Sequence, residues 1–384
     1  MKTYIICALT ILPILISGCN TSSGVTQLED TSCTLINFGN VEKVKNSQVI
    51  SDLVFLPLES HPDAMLQTPF YIKLYNEKIY VQDGMNVFVF SKEGNFLRKM
   101  ENRGDGPGEF LNIQSFWIDE EGHLFVLDTS LKRLLKYEAD NFKFIEEIEI
   151  PYISPLTFGV VPNKELYAYY YGSGGAVHPN KQIVIADKHG NVKQEFLEMT
   201  PVSKVSYGNP QSYYQMDGNL NISPYFSTVV YALSDTTLSE RYHLSFGKYK
   251  MPDIELFEKN GSREIMREID QSDNNYLSIL YVHESKNQLV VKYTLNRYPY
   301  MGVWNKKTNK VANFEAYQEV EDDLGIGTKF PYVIANHGEQ FIGKLNAFDV
   351  LKDEIRHPEL KKIKEDIDEE DNPILVFYTL KDIE

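Results

Sequence analysis

The stretch that decides the fold begins Ile79-Tyr80-Val81-Gln82-Asp83 and continues with Val87-Phe88-Val89-Phe90 and the turn Lys92-Glu93-Gly94-Asn95. The same pattern returns as Leu124-Phe125-Val126-Leu127-Asp128, followed by Leu134-Leu135-Lys136-Tyr137. Short runs rich in Val, Leu and Phe, separated by Gly and Asn turns, predict strands joined by hairpins. The two copies lie about 45 residues apart, which indicates a repeat of small β-sheets.

Similar turns recur along the rest of the chain, at residues 120–123, 188–191, 216–219, 285–288 and 336–339. They divide it into roughly six modules of ~40–60 residues, the size of propeller blades with insertions. A ring of such sheets buries both faces of each sheet and removes the lateral edges. We therefore predict an all-β fold, a six-bladed β-propeller with short helical insertions. An open β-solenoid is the alternative, although its period is normally shorter and more regular.

Closure of a ring requires a strand that joins the last module to the first. Two apolar segments near the chain ends meet this need, residues 49–58 and residues 372–380. We predict that both lie in the same closing blade. Helical spacing of apolar residues predicts insertions at 254–269 and at 348–367, the second interrupted near Pro358.

The first 18 residues have the pattern of a signal peptide. Lys2 is followed by an apolar run at 4–16, which is short for a membrane span. A Ser-Gly pair then precedes Cys19, an arrangement similar to a bacterial lipobox, in which the cysteine becomes the lipid-bearing N-terminus. An ordinary secretory signal is the alternative. We predict a signal at 1–18, a lipidated tether at 19–48 and the propeller at 49–384.

The composition excludes several classes of partner. A net charge of −16 disfavours nucleic acid, because phosphate binding needs a basic surface. It also disfavours electrostatic docking on anionic lipid, so the membrane contact is expected through the N-terminal lipid only. Cys33 would be the one thiol left besides Cys19 after cleavage, which leaves no disulfide framework.

The motif Gly104-Asp105-Gly106-Pro107-Gly108-Glu109-Phe110 carries a resemblance. The chain resembles the six-bladed β-propeller lipoproteins of Bacteroidetes, which are related in fold to NHL-repeat and TolB-type propellers. The resemblance covers nearly the whole mature chain and includes Leu56-Pro57-Leu58-Glu59 and the segment 372–376. It implies a propeller in the cell envelope, but it says little about activity, since one fold hosts many functions.

The same glycine-rich loop is a candidate ligand-binding element through Arg103, Asp105 and Glu109. A phosphate cradle needs a helix N-terminus after the glycines, whereas strand-like sequence follows here. The loop is therefore expected to be a turn between blades in which Glu109 caps backbone amides. A ligand role for the three side chains at the mouth of the pore is the alternative.

Catalytic and metal-binding patterns are not evident in the sequence. Asp83 and Asp128 end corresponding strands and are expected to accept hydrogen bonds from turn amides. The eight histidines form no i, i+4 or His-x-His pair, and there is no Gly-x-Ser-x-Gly elbow. We assign no catalytic residue, metal ligand or cofactor. Calcium in the pore, as in lactonase-like propellers, is the alternative, and no ligand set for it can be located.

Tyrosines supply the other candidate binding residues. Tyr169 and Tyr171 precede a glycine-rich loop that starts at Gly172, and Tyr207, Tyr213 and Tyr214 follow in a later loop region. Tyrosine rings can stack on sugars or grip peptides. The alternative is that these rings pack between blades.

These observations predict a non-enzymatic binding or scaffold protein anchored in the cell envelope. The expected partner is a glycan, a peptide or an envelope protein, and the periplasmic face is favoured over the cell surface. The alternative is a hydrolase or lyase of lactonase type with a metal in the central pore. A subunit of a larger envelope complex is a third interpretation.

Overall fold

The computed structural model describes residues 24–27, 33–67, 69, 71–172, 180–199, 211–259, 262–269, 275–296, 298–317, 319–327 and 330–383. These residues form six small sheets that are the blades of a propeller, which confirms the predicted fold. Five sheets have four strands and one has six.

The strands follow one another in chain order around the ring. The N-terminal segment contains β1 (Gly24–Gln27), β2 (Thr34–Asn37), the single turn α1 (Asn46–Val49) and β3 (Ile50–Pro57). Blade one contains β4 (Tyr71–Tyr75), β5 (Lys78–Asp83), β6 (Asn86–Ser91) and β7 (Phe96–Lys99). Blade two contains β8 (Ser115–Ile118), β9 (His123–Asp128), β10 (Arg133–Glu138) and β11 (Phe144–Glu149). Blade three contains β12 (Thr157–Val160), β13 (Leu166–Tyr170), β14 (Lys181–Asp187) and β15 (Val192–Glu198).

The second half of the ring repeats this plan with insertions. Blade four contains β16 (Tyr213–Met216), β17 (Asn219–Ile222), β18 (Val229–Ser234) and β19 (Thr237–Ser245), and β2 and β1 extend it. Blade five contains β20 (Leu277–Glu284), β21 (Gln288–Leu295), β22 (Tyr298–Asn305) and β23 (Lys310–Glu315). Blade six contains β24 (Ala335–His337), β25 (Gln340–Leu345) and β26 (Ile374–Leu380), with β3 as its outermost strand.

The innermost strands surround the central axis. Each of them contacts the innermost strand of the next blade, in the order β4, β8, β12, β16, β20, β24 and back to β4. Side chains from these strands therefore face a common space even though they come from distant parts of the chain. Of the three lysines described below, Lys73 lies on the innermost strand β4, and Lys292 and Lys344 lie on the second strands β21 and β25.

Blade six closes the ring with strands from both ends of the chain. In its register, Ile374 lies opposite Pro57 and Val376 lies opposite Phe55. The prediction that the segments 49–58 and 372–380 share one blade is confirmed. Asn372 reinforces the closure, because its side chain donates to the carbonyl oxygen of Ala64 at 2.7 Å.

The folded body begins earlier than the predicted tether allows. Cys33 is fully buried and Phe38 is 1% exposed. Phe38 stacks on Phe246 at 5.2 Å between ring centroids, and β2 pairs in parallel with β19. Residues 33–48 are thus a part of the propeller and not a free tether. The sequence did not predict β2 as a strand, because four residues are too few to show an alternating pattern.

The two predicted helical insertions are both present. The first consists of α2 (Ile254–Lys259) and α3 (Ser262–Ile269). The second consists of α4 (Ala347–Lys352) and α5 (Pro358–Asp366), and Pro358 stands at the first position of α5, where its missing N–H costs nothing. In the described part of the chain, no helix has the length and hydropathy needed to span a membrane.

Large apolar side chains fill the spaces between neighbouring blades. Trp117 and Phe125 of blade two pack in one cluster with Tyr167 and Tyr169 of blade three. Burial of each such side chain stabilises the fold by about 1.5–3 kcal/mol. The interior between blades therefore supplies stability in the described part of the chain, where the one cysteine, Cys33, forms no disulfide.

Gly108 illustrates how tightly the loop between blades one and two is packed. Its φ is +73°, and a Cβ atom there would lie 2.6 Å from Cγ of Phe144. We expect Gly108→Ala to lower the free energy of unfolding by about 2–4 kcal/mol, from backbone strain and overpacking together. Urea denaturation measures this loss.

Gly218 provides a matched control for that substitution. It has nearly the same φ, +72°, but nothing lies within 4 Å of its Cβ position. Gly218→Ala should therefore cost only the backbone strain, about 1 kcal/mol. Equal losses in the two variants would show that the Phe144 contact is unimportant.

Candidate functional site

The glycine-rich loop joins blade one to blade two, and its contacts are internal. Glu109 accepts a hydrogen bond from the Gly106 N–H at 3.0 Å, as predicted for a capping residue. The Arg133 guanidinium donates to the carbonyl oxygens of Gly106 at 3.1 Å and Glu109 at 2.8 Å. Tyr137 donates to the carbonyl oxygen of Gly108 at 3.1 Å. These bonds hold the loop as a structural turn.

Arg103 and Asp105 lie in the same loop and are exposed. Arg103 donates to the carbonyl oxygen of Met85 at 3.3 Å. The loop thus presents two charged side chains on the surface and not in an enclosed pocket. A ligand role for Arg103, Asp105 or Glu109 stays a prediction.

The aspartates that end corresponding strands also serve the fold. Asp128 is fully buried and accepts hydrogen bonds from the N–H groups of Leu111 at 2.7 Å and Ser130 at 2.8 Å. Asp83 accepts a hydrogen bond from the Gln67 N–H at 2.7 Å. Each carboxylate fastens an incoming loop to its blade, and Asp128 also accepts hydrogen bonds from turn amides, as the sequence predicted.

Four of the tyrosine candidates are interior residues, as in the alternative that their rings pack between blades. Tyr169, Tyr171, Tyr213 and Tyr214 are between 0% and 8% exposed. The Tyr171 hydroxyl donates to the carbonyl oxygen of Tyr152 at 3.0 Å, and the Tyr214 hydroxyl donates to the buried Glu284 carboxylate at 2.9 Å. The rings face neighbouring blades because the spaces between blades are where a propeller buries its apolar area.

Two parts of the candidate surface lie outside the described residues. These are Tyr207 and the glycine run 173–175 that follows Gly172. Cys19, the predicted lipid attachment site, also lies outside them.

A different set of residues gathers beside the axis. Lys73 lies on the innermost strand β4, where its Nζ is 4.8 Å from the centroid of the Trp117 ring and 5.5 Å from that of Tyr71. Aromatic faces attract a cation at such distances. Burial nevertheless lowers the pKa of Lys73 to about 8, because the ammonium is removed from water.

A second lysine occupies a similar environment in blade five. The Nζ of Lys292 lies 4.7 Å from the centroid of the Tyr332 ring and 5.4 Å from that of Tyr281, which stands opposite it on β20. Burial, together with the nearby Lys344 ammonium, lowers the pKa of Lys292 to about 8.

Lys344, on β25 of blade six, completes what we call the lysine cluster: Lys73, Lys292 and Lys344. Its Nζ donates to the carbonyl oxygen of Pro69 at 3.3 Å. Burial lowers the pKa of Lys344, while the Asp83 carboxylate partly raises it. Three blades thus contribute one partly buried ammonium group each.

His283 lies within electrostatic range of two members of the cluster, Lys292 and Lys73. It is 8% exposed on β20, and no described residue makes a hydrogen bond to its Nε2. Its pKa is lowered to about 3, chiefly by burial and also by the charges of Lys292 and Lys73, while a hydrogen bond with the Asn336 side chain acts in the opposite direction. The imidazole is therefore neutral at pH 7 and leaves an unused polar atom among positive charges.

No described carboxylate forms a salt bridge with Lys73 or Lys292, although Asp349 and Asp353 line the same cavity as Lys292. Burial is the cause of the lowered pKa of Lys73, and for Lys292 the further cause is another lysine. Buried charges are normally paired, because an unpaired one is expensive to desolvate. A concentration of unpaired ammonium groups in a chain of net charge −16 indicates a site for an anion.

A cavity adjoins the cluster at the junction of blades five and six. It measures about 690 Å³ and is lined by Lys292 and Lys344 together with Tyr317 and Tyr332. Its volume lies within the range of small-molecule sites. Asp349 and Asp353, from the region of α4, line it as well and supply hydrogen-bond acceptors.

The sequence contains a signal for this site, namely a lysine within each of three otherwise apolar strands, which the search for strand patterns did not consider. Lys73, Lys292 and Lys344 each interrupt an otherwise apolar strand, in Ile72-Lys73-Leu74, Val291-Lys292-Tyr293 and Gly343-Lys344-Leu345. Lysine is rarely buried without a partner, so a lysine inside such a strand is informative. Only the ring, however, shows that three such positions converge.

The fold and the site together define a six-bladed β-propeller with a cationic pocket beside its axis. The chain belongs to the family described as a domain of unknown function, DUF4934, whose profile matches residues 33–379. No curated protein matches the sequence.

The chain is similar to several solved structures. A crystal structure of a protein from Bacteroides fragilis, named as a putative exported protein, is 22% identical, covers 91% of this chain and 100% of its own, and gives a TM-score of 0.80. The WD40 domain of Pan2 from Neurospora crassa is 11% identical over 89% of this chain and 99% of its own, with a TM-score of 0.43. A virginiamycin B lyase from Staphylococcus aureus is 11% identical over 81% of this chain and 80% of its own, with a TM-score of 0.38.

Proposed function

We propose that this protein is an exported binding protein of the bacterial envelope that holds an acidic saccharide at its lysine cluster. The observation that carries the proposal is the set of three partly buried lysines from three blades, two of them without a described carboxylate partner. A carboxylate or sulfate group of the ligand supplies the missing negative charge. Charge-assisted hydrogen bonds of this kind are stronger than neutral ones.

The remaining groups of the cavity suit the rest of a sugar. Tyr317 is 54% exposed and, with Tyr332, offers ring faces for stacking. The carboxylates of Asp349 and Asp353 accept hydrogen bonds from hydroxyl groups. Of the expected partner classes, an acidic glycan therefore fits this combination better than a neutral peptide or a flat protein surface.

The lactonase-type alternative is less compatible with this geometry. A divalent cation at the axis needs converging carboxylate, amide or imidazole ligands. Lysine ammonium groups repel such a cation, and the His283 imidazole lies among them. We therefore favour binding without catalysis.

The cellular placement is part of the same proposal. The signal pattern at residues 1–18 and the lipobox-like Cys19 support attachment to a membrane by lipid, with the propeller on the periplasmic face. The resemblance to NHL-like and TolB-like envelope lipoproteins and the exported relative from Bacteroides fragilis agree with this placement.

Titration calorimetry on purified Asn20–Glu384 tests the ligand class. Oligosaccharides that contain uronic acid and sulfated disaccharides are the probes, and the neutral saccharides of matching linkage are the controls. We expect heat of binding for an acidic probe and at least tenfold weaker binding for its neutral counterpart. Equal behaviour of acidic and neutral probes would contradict the proposal, and so would binding of calcium at the axis.

The affinity for an acidic ligand should depend on pH in a defined direction. Lys73 and Lys292 have pKa values of about 8 in the free protein, so both carry their protons below that pH and lose them above it. A bound anion favours the protonated forms. We therefore expect affinity to be full near pH 6.5, to fall as the pH rises through 8, and to be accompanied by proton uptake at pH 8.

Calorimetry in buffers of different ionisation enthalpy measures that uptake. Lys292→Arg serves as the control, because arginine keeps its charge throughout this range. This variant should bind with a weaker pH dependence. An affinity that does not change between pH 6.5 and 9 would exclude the lysines as the anion-binding groups.

A further inference from the structure

A second site lies on the outer side of blade four, far along the sheet from the axis. Cys33, Glu240 and His243 each bring one ligand atom of sulfur, oxygen or nitrogen, and all three atoms lie within 4.8 Å of one another. From this geometry we propose that the three side chains bind a divalent transition metal ion, with zinc as the physiological class. The site is independent of the lysine cluster.

The backbone explains why these residues meet. On a regular strand, residues three apart point to opposite faces. In β19, however, Glu240 lies opposite Tyr231 and His243 lies opposite Val229, so that Arg241 is an extra, bulged residue. Because Val229 and Tyr231 share a face, the bulge places Glu240 and His243 on one face. Re-aiming a side chain in this way is a common use of β-bulges near sites.

The third ligand arrives with the N-terminal segment. β2 pairs in parallel with β19, and Leu35 lies opposite His243. Cys33 is two residues before Leu35, so it belongs to the same face as His243. The strand pairing thus brings the thiol to the pair that the bulge has created.

The exposure of the three groups gives the ion a route to the site. Cys33 is fully buried, whereas the side chains of His243 and Glu240 are 36% and 49% exposed. The thiol therefore lies at the back, two ligands lie at the solvent side, and water can fill a fourth position. Three protein ligands with an open fourth position are a common arrangement for zinc.

The distances and charges are compatible with coordination. Donor atoms around a tetrahedral zinc ion are roughly 3.3–3.8 Å apart, so the groups need to move by about 1 Å at most. The Nε2 of His243 already lies 2.9 Å from the Glu240 carboxylate. Burial raises the pKa of the Cys33 thiol, and the Glu240 carboxylate raises it further. A metal cation would offset this repulsion between carboxylate and thiolate.

The consequence is a metal link between the start of the folded body and the rest of blade four. β2 is held to β19 by only four paired residues. The ion adds a cross-connection at Cys33, directly before β2 in the chain. Metal should thus raise the resistance of this segment to unfolding.

Cobalt titration of metal-free Asn20–Glu384 tests the site, because Cys33 is the sole thiol of that chain. We expect one Co²⁺ per chain with a thiolate-to-metal absorption band in the near ultraviolet, displacement of Co²⁺ by one equivalent of Zn²⁺, and a higher melting temperature with Zn²⁺. Cys33→Ser should remove the band. His243→Ala and Glu240→Gln should each weaken binding at least about tenfold.

If Cys33→Ser does not fold, the variants at the partly exposed residues His243 and Glu240 still test the site. His123→Ala is the control, since His123 belongs to the other cluster of potential ligands, with Asp119 and Glu121. Wild-type affinity is expected in this control. A cobalt complex without the thiolate band, or binding lost in His123→Ala and retained in His243→Ala, would overturn the proposal.

Discussion

Replacing both Lys73 and Lys292 by methionine is expected to abolish binding of an acidic saccharide at pH 7 and at the same time to stabilise the free protein. Each hydrogen bond to a charged group contributes about 1.5–3 kcal/mol, so the loss of two should weaken binding at least about 100-fold. Methionine keeps the contacts with the aromatic rings and removes the desolvated charge. The free energy of unfolding should therefore rise by about 1 kcal/mol, as measured by urea denaturation.

The pH dependence of stability separates this explanation from a general packing effect. A lysine with a folded-state pKa of about 8 and an unfolded-state value near 10.5 releases protons on folding between these limits. The wild-type stability should thus rise with pH in this window, and its electrostatic cost is fully present below pH 8. The double variant should lack this rise.

Lys136→Met is the matched control for the lysine variant. Lys136 also lies on a strand and above an aromatic ring, at 5.5 Å from the centroid of Phe125, but its Nζ is 3.8 Å from Glu146. It should leave ligand binding unchanged and should not stabilise the protein. If the double variant is less stable than wild type and still binds, the lysine cluster is a structural feature and not a site.

Substitution of Glu284 by alanine is expected to lower the free energy of unfolding by about 3–5 kcal/mol. The carboxylate is fully buried between blades four and five. It accepts hydrogen bonds from Arg241 at 2.8 Å, Tyr242 at 2.7 Å and Tyr214 at 2.9 Å, and it also pairs with Lys306. Its removal leaves two cations and two hydroxyl groups without their acceptor.

The protonated state of Arg241 depends on the Glu284 carboxylate. Burial alone would lower the pKa of Arg241, but the Glu284 carboxylate acts together with Tyr242 and Tyr214 to outweigh burial and raise the pKa. In Glu284→Ala the guanidinium would lose its buried partner and keep only the exposed Asp217 carboxylate, at 2.8 Å, and the Asn221 side chain, at 3.0 Å. Glu284→Gln, which retains an acceptor but no charge, should cost less than alanine.

Thermal and urea denaturation of Glu284→Ala measure the loss, and Glu319→Ala is the control. Glu319 pairs with Lys43 at 2.6 Å, but both side chains are exposed, so its removal should cost less than about 1 kcal/mol. Similar losses in the two variants would mean that burial of the Glu284 network adds nothing.

Much of the fold could be predicted from the sequence because propeller blades are local units. Each hairpin is specified by nearby apolar alternation and by turn residues such as Gly94, which adopts a φ of +88°. The closing blade was predictable too, since two apolar end segments needed a partner. The start of the domain could not be predicted from the sequence, because β2 is short and its strand partner β19 lies some two hundred residues later in the chain.

The tyrosines show that the sequence does not predict the environment of a single side chain. An alternating strand identifies which side chains share a face, but it does not show whether that face meets solvent or another blade. Tyr169 and Tyr213 meet other blades and are buried. The sequence could therefore offer them as candidates but could not decide between binding and packing.

The sequence by itself determined the repeat, the ring closure, the helical insertions and the turn roles of Asp83, Asp128 and Glu109, because all of these depend on neighbours within one module or on the chain ends. Only the tertiary structure decided which residues from different modules meet. The lysine cluster draws on three blades, and the Cys33 site joins the N-terminal segment to a bulged strand of blade four. Such meetings depend on the order and closure of the ring, and no local pattern of residues encodes the distance between two blades.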